Sequence, residues 1–447
     1  MSAKPSGTRS AQELQSATIQ KITWHVMPVL LLAYFFAYID RVNVGFAALT
    51  ANKELGLSDV EFGFGAGLFF LGYSGAQVPS NLMMLRYGAR RWFARILISM
   101  GILAAAMMFV VGPRSFYAVR LALGIAEAGL LPGVIYYLRC WFPQSYRANI
   151  MAVFLLAIPL SSLLGSPISG ALLGLDDVFG LRGWQWMYLV EGVPLIILGL
   201  VVLSAIAETP AEAHWLTSAQ RQWLEKTLAD EATVRAVPQQ EPPWWKLIID
   251  ARVLCYGSAF FGITAGSYGL SFWLPQIVKS FGLTNFMTSL VVAIPFLFGS
   301  IATIVWARHS DRRRERLYHT ALPAFLAAAG LGVCIAISSP VLTMVALTVA
   351  ALGIFAIRGP YFALVAEDFA GTTAAPAIAW IDTFASLGGF IGPTIVGWLR
   401  QTTGSYTWPL FALAFLSLLG GVIILSRNLF RQRGANLLST PLTSSKD

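Results

Sequence analysis

The sequence predicts an all-α integral membrane protein: twelve spanning helices in two six-helix bundles related by a pseudo-two-fold axis. Three observations carry this expectation. Of 447 residues, 56% are apolar and only 12% charged, against roughly 25% charged in a soluble domain. One crossing takes about 20 mostly apolar residues, so the apolar content suffices for about twelve crossings with little left for a soluble domain. Apolar runs of that length recur near 27–49, 62–84, 93–112, 116–140, 148–174, 185–206, 253–278, 287–307, 319–338, 341–366, 376–399 and 407–427. Finally, two motifs repeat at one offset in corresponding spans. Leu85-Arg86-Tyr87-Gly88-Ala89-Arg90-Arg91 follows span two and Ser310-Asp311-Arg312-Arg313-Arg314-Glu315-Arg316 follows span eight, with Arg86 and Arg312 226 residues apart. Gly165-Ser166-Pro167 in span five and Gly392-Pro393 in span eleven stand at the same offset of 226. Such parallel repeats build carriers that rock two bundles about a midplane site.

Along the chain, residues 1–23 form a polar, Ser- and Gln-rich tail. The apolar run that follows passes into an ionic cluster without a small-residue cleavage site, so it is a first spanning helix and not a removed signal peptide. Residues 24–206 make the first bundle. Residues 207–252 interrupt the spans with Ala207-Glu-Thr-Pro210, a helical stretch from Thr217 to Leu228, and Pro242-Pro243-Trp244-Trp245, as suits a connector. Residues 253–427 make the second bundle and 428–447 a tail. Of the 31 Lys and Arg, 23 lie at the termini, the connector or the loops on their side, and five (Lys53, Arg114, Arg182, Lys279, Arg400) lie opposite. The positive-inside rule then places both termini in the cytoplasm. The net charge of +9 is therefore topological and carries no argument for nucleic acid. Cys140, Cys255 and Cys334 sit in or beside apolar runs and read as small buried hydrophobes.

Ionisable side chains inside spans are costly and normally face a cavity or a partner. Span one carries Asp40 and Arg41, span four Arg120 and Glu127, span ten Arg358 and span eleven Asp382. Asp40 and Arg41 point about 100° apart on a helix. Tyr34, Tyr38, Arg41 and Gly45 share one stripe, which is expected to face the pathway, with Arg41 gripping an anion through its two-pronged guanidinium. Asp40 then looks toward a neighbouring helix. Arg120 and Glu127 are two turns apart on one face, too far for a direct pair, so each needs a partner on another helix. Arg358 and Asp382 leave two readings open. They lie near each other or both border the cavity, or Arg358 ends a helix and Asp382 is protonated.

The stretches Tyr38-Ile-Asp-Arg-Val-Asn-Val-Gly45, Val78-Pro-Ser-Asn81, Gly88-Ala-Arg-Arg-Trp92, Gly124-Ile-Ala-Glu-Ala-Gly129, Trp184-Gln-Trp186 with Glu191-Gly192, and Ser271-Phe-Trp-Leu-Pro275 resemble the major facilitator superfamily. Within it the chain is similar to the anion:cation symporters that include tartrate, hydroxyphenylacetate, phthalate and sugar-acid permeases. The resemblance implies that Arg41 binds substrate, with Tyr38 and Tyr73 as further contacts, and Arg120 is a candidate to aid them. It implies that Asp40 and Glu127 couple protons. Phe362 stands where some relatives have Trp, so it is a candidate cap over the substrate. Asp382 replaces an Asn of many relatives, and with Arg358 it is expected to help choose the substrate. The gate motif departs in the first half, where Leu85 precedes Arg86 and Gln77 stands where relatives often have Glu. Gating is therefore expected from Arg86 and Arg90 but more from Asp311 and Arg312.

No Gly-rich phosphate loop opens a helix, the four His (His25, His214, His309, His319) make no metal spacing, and no nucleophile elbow appears. An enzyme is not expected, nor any cofactor beyond protons as coupling ion. The sequence reads as an inner-membrane, proton-coupled symporter importing an organic carboxylate: a small hydroxy-acid, a sugar acid or an aromatic acid. Alternatives are a proton-driven efflux carrier of amphiphilic compounds, against which the three intramembrane Arg weigh, and a non-transporting receptor. By analogy the chain is expected to be a monomer in the bilayer.

Overall fold

The computed structural model describes residues 6–235, 247–369 and 374–427. Pro242-Pro243-Trp244-Trp245, the far N-terminus and the 428–447 tail lie outside the described residues. Among the described residues, ten helical segments are long and apolar enough to cross a membrane. Two more helices, Asp59–Tyr87 and Ala251–Lys279, have 29 residues each. They are rich in Gly, Ser and Tyr because they lie at the seam of the molecule, packed on protein, where a span need not be uniformly apolar. Together they make the twelve expected spans.

Span one is longer than the apolar run suggests. Its helix Ser6–Val42 begins within the expected polar tail. Thr18, Ile19 and Ile22 of that extension are buried, and Gln15 donates to the Tyr146 hydroxyl at 3.0 Å. The helix continues after Asn43 as Val44–Glu54. Span two is Asp59–Tyr87, span three Ala89–Ala106, span six Gly183–Ala205, span eight Asn285–Arg313, span nine Leu317–Val333, span eleven Ala374–Thr403 and span twelve Thr407–Leu425.

Spans four, five and ten are broken, each just before a proline, although Pro28, Pro79 and Pro393 lie inside helices that continue. Proline has no N–H and its ring clashes with the carbonyl four residues back. Span four is Pro113–Glu127 then Leu130–Trp141, broken at Ala128 by Pro132. Span five is Gln144–Leu155 then Ala157–Leu172, broken by Pro159, and span ten is Pro340–Ala356 then Arg358–Asp368, broken by Pro360. The break in span four is finished by Gly129 at φ 90° and by the Ser80 hydroxyl donating to the freed Ala128 carbonyl at 2.5 Å. Glu127 thereby sits on the last turn before a kink in mid-membrane.

Within the first half, span two packs on span four, span three on span six, and span one on spans five and six. The second half repeats the plan, with span eight on span ten, span nine on span twelve, and span seven on spans eleven and twelve. Small residues set the distances, as membrane interfaces require. At Gly124 an added Cβ would lie 2.8 Å from the Phe69 carbonyl carbon and 2.9 Å from the Tyr73 amide. These are backbone atoms that cannot swing aside. Gly124→Val is expected to destabilise the first half by about 1–3 kcal/mol or more, read as a lower melting temperature in detergent. An unchanged melt would contradict this approach.

The halves meet along three seams: span two with span eleven, span five with span eight, and span one with span seven. Hydrogen bonds across them are Val60 N–H to Gln401, Arg41 to Tyr268 and Gln77 to Asp382. Ring contacts add Phe62 with Trp273, Phe64 with Phe390 and Phe70 with Tyr268. All lie between mid-depth and the end formed by the loops near 54–59, 172–183, 279–285 and 403–407. Along span two the side chains then change character. Phe69, Phe70 and Tyr73 are buried, whereas Val78 is 54% and Leu82 60% exposed. The molecule is closed at the short-loop end and parted toward the end that carries the connector.

Candidate functional site

Where the seams run out at mid-depth, span one presents its predicted stripe. Tyr34, Tyr38 and Arg41 are buried there together, and Tyr34 and Tyr38 sit 6.4 Å apart ring to ring. The Arg41 guanidinium lies over three rings, Tyr38 at 5.4 Å, Phe69 at 5.3 Å and Tyr73 at 5.1 Å. Stacking on aromatic faces holds a guanidinium while leaving its edge for acceptors. One acceptor is taken: Arg41 forms a buried ion pair and hydrogen bond with Glu127. Its other terminal nitrogen donates to the Tyr268 hydroxyl of span seven at 3.1 Å, and Nε has no partner. Arg41 therefore touches both halves. Glu127 keeps one oxygen, Oε2, unpartnered.

Opposite, the second half supplies Tyr268, Arg358 and Asp382. Arg358 starts the second piece of span ten and lies beside Tyr268, Tyr38 and Tyr34. Asp382 accepts from the Gln77 side-chain amide at 2.9 Å, across the seam. Arg358 lies near enough to act on Asp382, but no ion pair joins them among the described residues, and Arg358 also stands at the start of a helical piece, so each of the two readings keeps one of its features. The amide of Gln77 is the partner that Asp382 needed. Phe362 is half-buried and packs edge-on against Phe260 and Tyr361.

Arg120 finds its contacts on other helices, as its spacing from Glu127 requires. It is fully buried, stacked on Phe69 at 5.1 Å and Phe272 at 6.0 Å, with Nη2 donating to the Ala66 carbonyl at 3.2 Å. Phe69 lies between it and Arg41, and Phe272 of span seven covers it from the other half, so Arg120 sits at the seam without reaching Arg41. Its neighbours there are Tyr188 and Asp40. Asp40 is buried as expected toward a neighbouring helix, with Asn43 Nδ2 at 3.5 Å from Oδ1 and no partner on Oδ2. Asn43 also donates to Glu191 Oε2 at 2.8 Å, and the Ser169 hydroxyl donates to Glu191 Oε1 at 2.7 Å. Thus the first half holds three buried carboxyls and two guanidiniums in one connected interior. Sequence reasoning missed Tyr268, which is one aromatic among 14 Tyr with no charge to mark it. It quoted Glu191 and Asn43 only within motifs, and their neutral partners leave no signature in sequence spacing.

The expected gate residues sit at the parted end. Glu208 caps span three by accepting from the backbone of Ala89 and Arg90, and Arg90 lies 3.9 Å from Glu212 of the connector. Arg86 leans on Tyr87. Asp311 pairs with Arg316 at 2.7 Å, and Arg316 reaches Glu367 of span ten at 3.7 Å. These pairs brace each half internally, and in the second half Arg316 makes the clasp with Asp311 and Glu367. Two histidines that look scattered in sequence meet here: His309 Nδ1 lies 2.7 Å from His319 Nε2, and His319 Nδ1 2.6 Å from Glu315. Burial alone would raise the Glu315 carboxyl, but the His319 ring and the backbone N–H groups of Tyr318 and His319 hold it below its ordinary value. Among the described residues no cluster of His, Cys, Asp and Glu could hold a metal ion.

Residues 30–393 match the family profile described as Major Facilitator Superfamily. A protein of Agrobacterium vitis named "Putative tartrate transporter" is 44% identical over 413 residues, covering 92% of each chain. A "Quinolone resistance transporter" of Acinetobacter baumannii is 36% identical over 92% of this chain and 95% of its own. Among solved structures, a bacterial homolog of the human lysosomal transporter Spinster, in an inward-facing and occupied conformation, superposes with a TM-score of 0.70 at 14% identity. That match covers 92% of this chain and 96% of the other.

Proposed function

The chain belongs to the Major Facilitator Superfamily of membrane transporters, and from that premise we propose that it imports an organic carboxylate together with protons by alternating access. The bundles 24–206 and 253–427 rock about the mid-depth space, in a bacterial inner membrane, as a monomer. The bias of Lys and Arg toward the termini argues for cytoplasmic termini. On that orientation the parted end faces the cytoplasm.

The observation that carries this reading is the Arg41–Glu127 pair at the seam. A guanidinium stacked on Tyr38, Tyr73 and Phe69 is a carboxylate receptor already filled by the protein's own carboxylate. A substrate anion takes the fork only when Glu127 lets go. A proton arriving on Glu127 removes its charge and releases Arg41. Proton and anion thus favour each other's binding, which is the reciprocity that coupling demands. Asp40 supplies a second proton-binding carboxyl behind the site. Arg358, Tyr38, Tyr73 and Tyr268 surround the substrate, Phe362 flanks it, and Asp382 with Gln77 reads its polar end. The relative named for tartrate supports a small hydroxy-acid as cargo.

The test is uptake of labelled L-tartrate, a sugar acid and an aromatic acid by vesicles containing the full chain. At least one is expected to accumulate under an inward proton gradient and to stop when the gradient is collapsed. Uphill uptake without a gradient would refute proton coupling. Glu127→Gln imitates the protonated state, so it should keep exchange of carboxylate across the membrane yet lose gradient-driven accumulation. The relative named for quinolone resistance favours a second reading, export, which the same vesicles distinguish by the direction of net flux.

A further inference from the structure

We propose that Asp40 and Glu191 hold one proton between them across the Asn43 amide, which makes Glu191 a positioning residue for the proton that Asp40 carries. The proposal rests, for its functional meaning, on the proton-coupled reading above. Its physical basis is the composition of the first half's interior. Glu127 is matched by Arg41. That leaves Asp40 and Glu191, 1% and 2% exposed, with Arg120 as the remaining guanidinium of that interior. Arg120 is in ion-pair contact with neither, since Nη2 is spent on the Ala66 carbonyl and Nε and Nη1 have no partner. Two buried carboxylates beside one guanidinium leave a net negative charge in a medium that does not tolerate it. One retained proton restores neutrality.

The partners of Glu191 suit a carboxyl that is sometimes protonated. Arginine only donates, so a carboxyl bound to it loses a hydrogen bond on protonation. A serine hydroxyl donates or accepts, so the 2.7 Å contact from Ser169 survives either state. Asn43 donates through one nitrogen toward both carboxyls, 2.8 Å to Glu191 and 3.5 Å to Asp40. The charged and titratable groups around the pair come from each packed element: Asp40 from span one, Arg120 from span four, Tyr188 from span six itself, with Arg41 and Glu127 acting on Asp40. Like charges this close titrate as a unit. Asn43 is also the turn at which span one passes from Ser6–Val42 to Val44–Glu54, and the latter piece presses Gly45 against the span-seven backbone at Phe272. Parting of the halves at that end therefore acts on the turn that holds the bridging amide.

The experiment is infrared difference spectroscopy of the full chain in lipid, reading the C=O stretch of protonated carboxyls. Wild type is compared with Asp40→Asn, Glu191→Gln and the double variant. Each single change is expected to abolish the same single band, and the double change to remove no more. Two separable bands, one per residue, or no loss in either variant, overturns the proposal. This readout needs no substrate, so it fails independently of the transport reading. The companion measurement is the pH profile of L-tartrate uptake. In Glu191→Gln its alkaline fall-off is expected to move about 1–3 pH units toward acid, because Asp40 no longer has an anionic neighbour. A profile that keeps its position while uptake falls marks a merely structural residue and overturns the positioning role.

Discussion

Replacing Arg41 by Gln is expected to lower carboxylate uptake by about two to four orders of magnitude. A guanidinium gives a carboxylate two charge-assisted hydrogen bonds, each of about 1.5–3 kcal/mol, and every 1.4 kcal/mol is about tenfold. The substitution also leaves Glu127 buried without its cation, and breaking such a pair costs about 3–5 kcal/mol. Lost uptake could therefore reflect lost protein. The double variant Arg41→Gln with Glu127→Gln separates the two effects, since it removes both charges and leaves no buried carboxylate without its cation. Its melting temperature should recover toward wild type while uptake stays absent. Arg41→Lys keeps the charge but loses the fork and the flat face stacked on Tyr38, Phe69 and Tyr73. It should fall between wild type and Arg41→Gln. Full uptake in Arg41→Gln would remove the anion site on which the function rests.

The spans and the intramembrane charges were legible because a bilayer imposes a length and a penalty that composition and spacing report directly. The stripe Tyr34, Tyr38, Arg41 followed from helical periodicity, and so did the turning of Asp40 toward a neighbour. The same periodicity could not tell what covers Arg120. A helical face is readable from spacing, but whether that face looks into the gap between halves or into its own bundle depends on which helix packs against it. Here Phe69 of span two and Phe272 of span seven both pack on Arg120, so it lies where the halves meet. The breaks in spans four, five and ten fall just before Pro132, Pro159 and Pro360, but they were not readable, since Pro28, Pro79 and Pro393 lie inside unbroken helices. Nor was the Gln77–Asp382 contact, since it joins residues 305 apart through a neutral amide.

Gly63→Leu is expected to jam closure of the short-loop end and hold the protein open there. An added Cβ at Gly63 would point at the Pro393 backbone and lie 3.2 Å from the Gly397 Cα. Neither neighbour can rotate away. Within one half, overpacking of this kind destabilises the fold, as argued for Gly124. At Gly63 the obstacle belongs to the other half, and separation of spans two and eleven relieves it. The penalty of about 1–3 kcal/mol or more therefore falls on one conformation only, shifting the equilibrium about 5- to 150-fold toward the state open at this end. Spin labels at the exposed positions Lys53 and Gln401 read the change as a longer distance. Gly75 lies on the same helix with nothing within 4 Å of an added Cβ, so Gly75→Leu should leave that distance unaltered. Uptake should collapse in Gly63→Leu, because a carrier held in one state delivers nothing. Should both variants show the wild-type distance, the seam between spans two and eleven is not the closure that alternates.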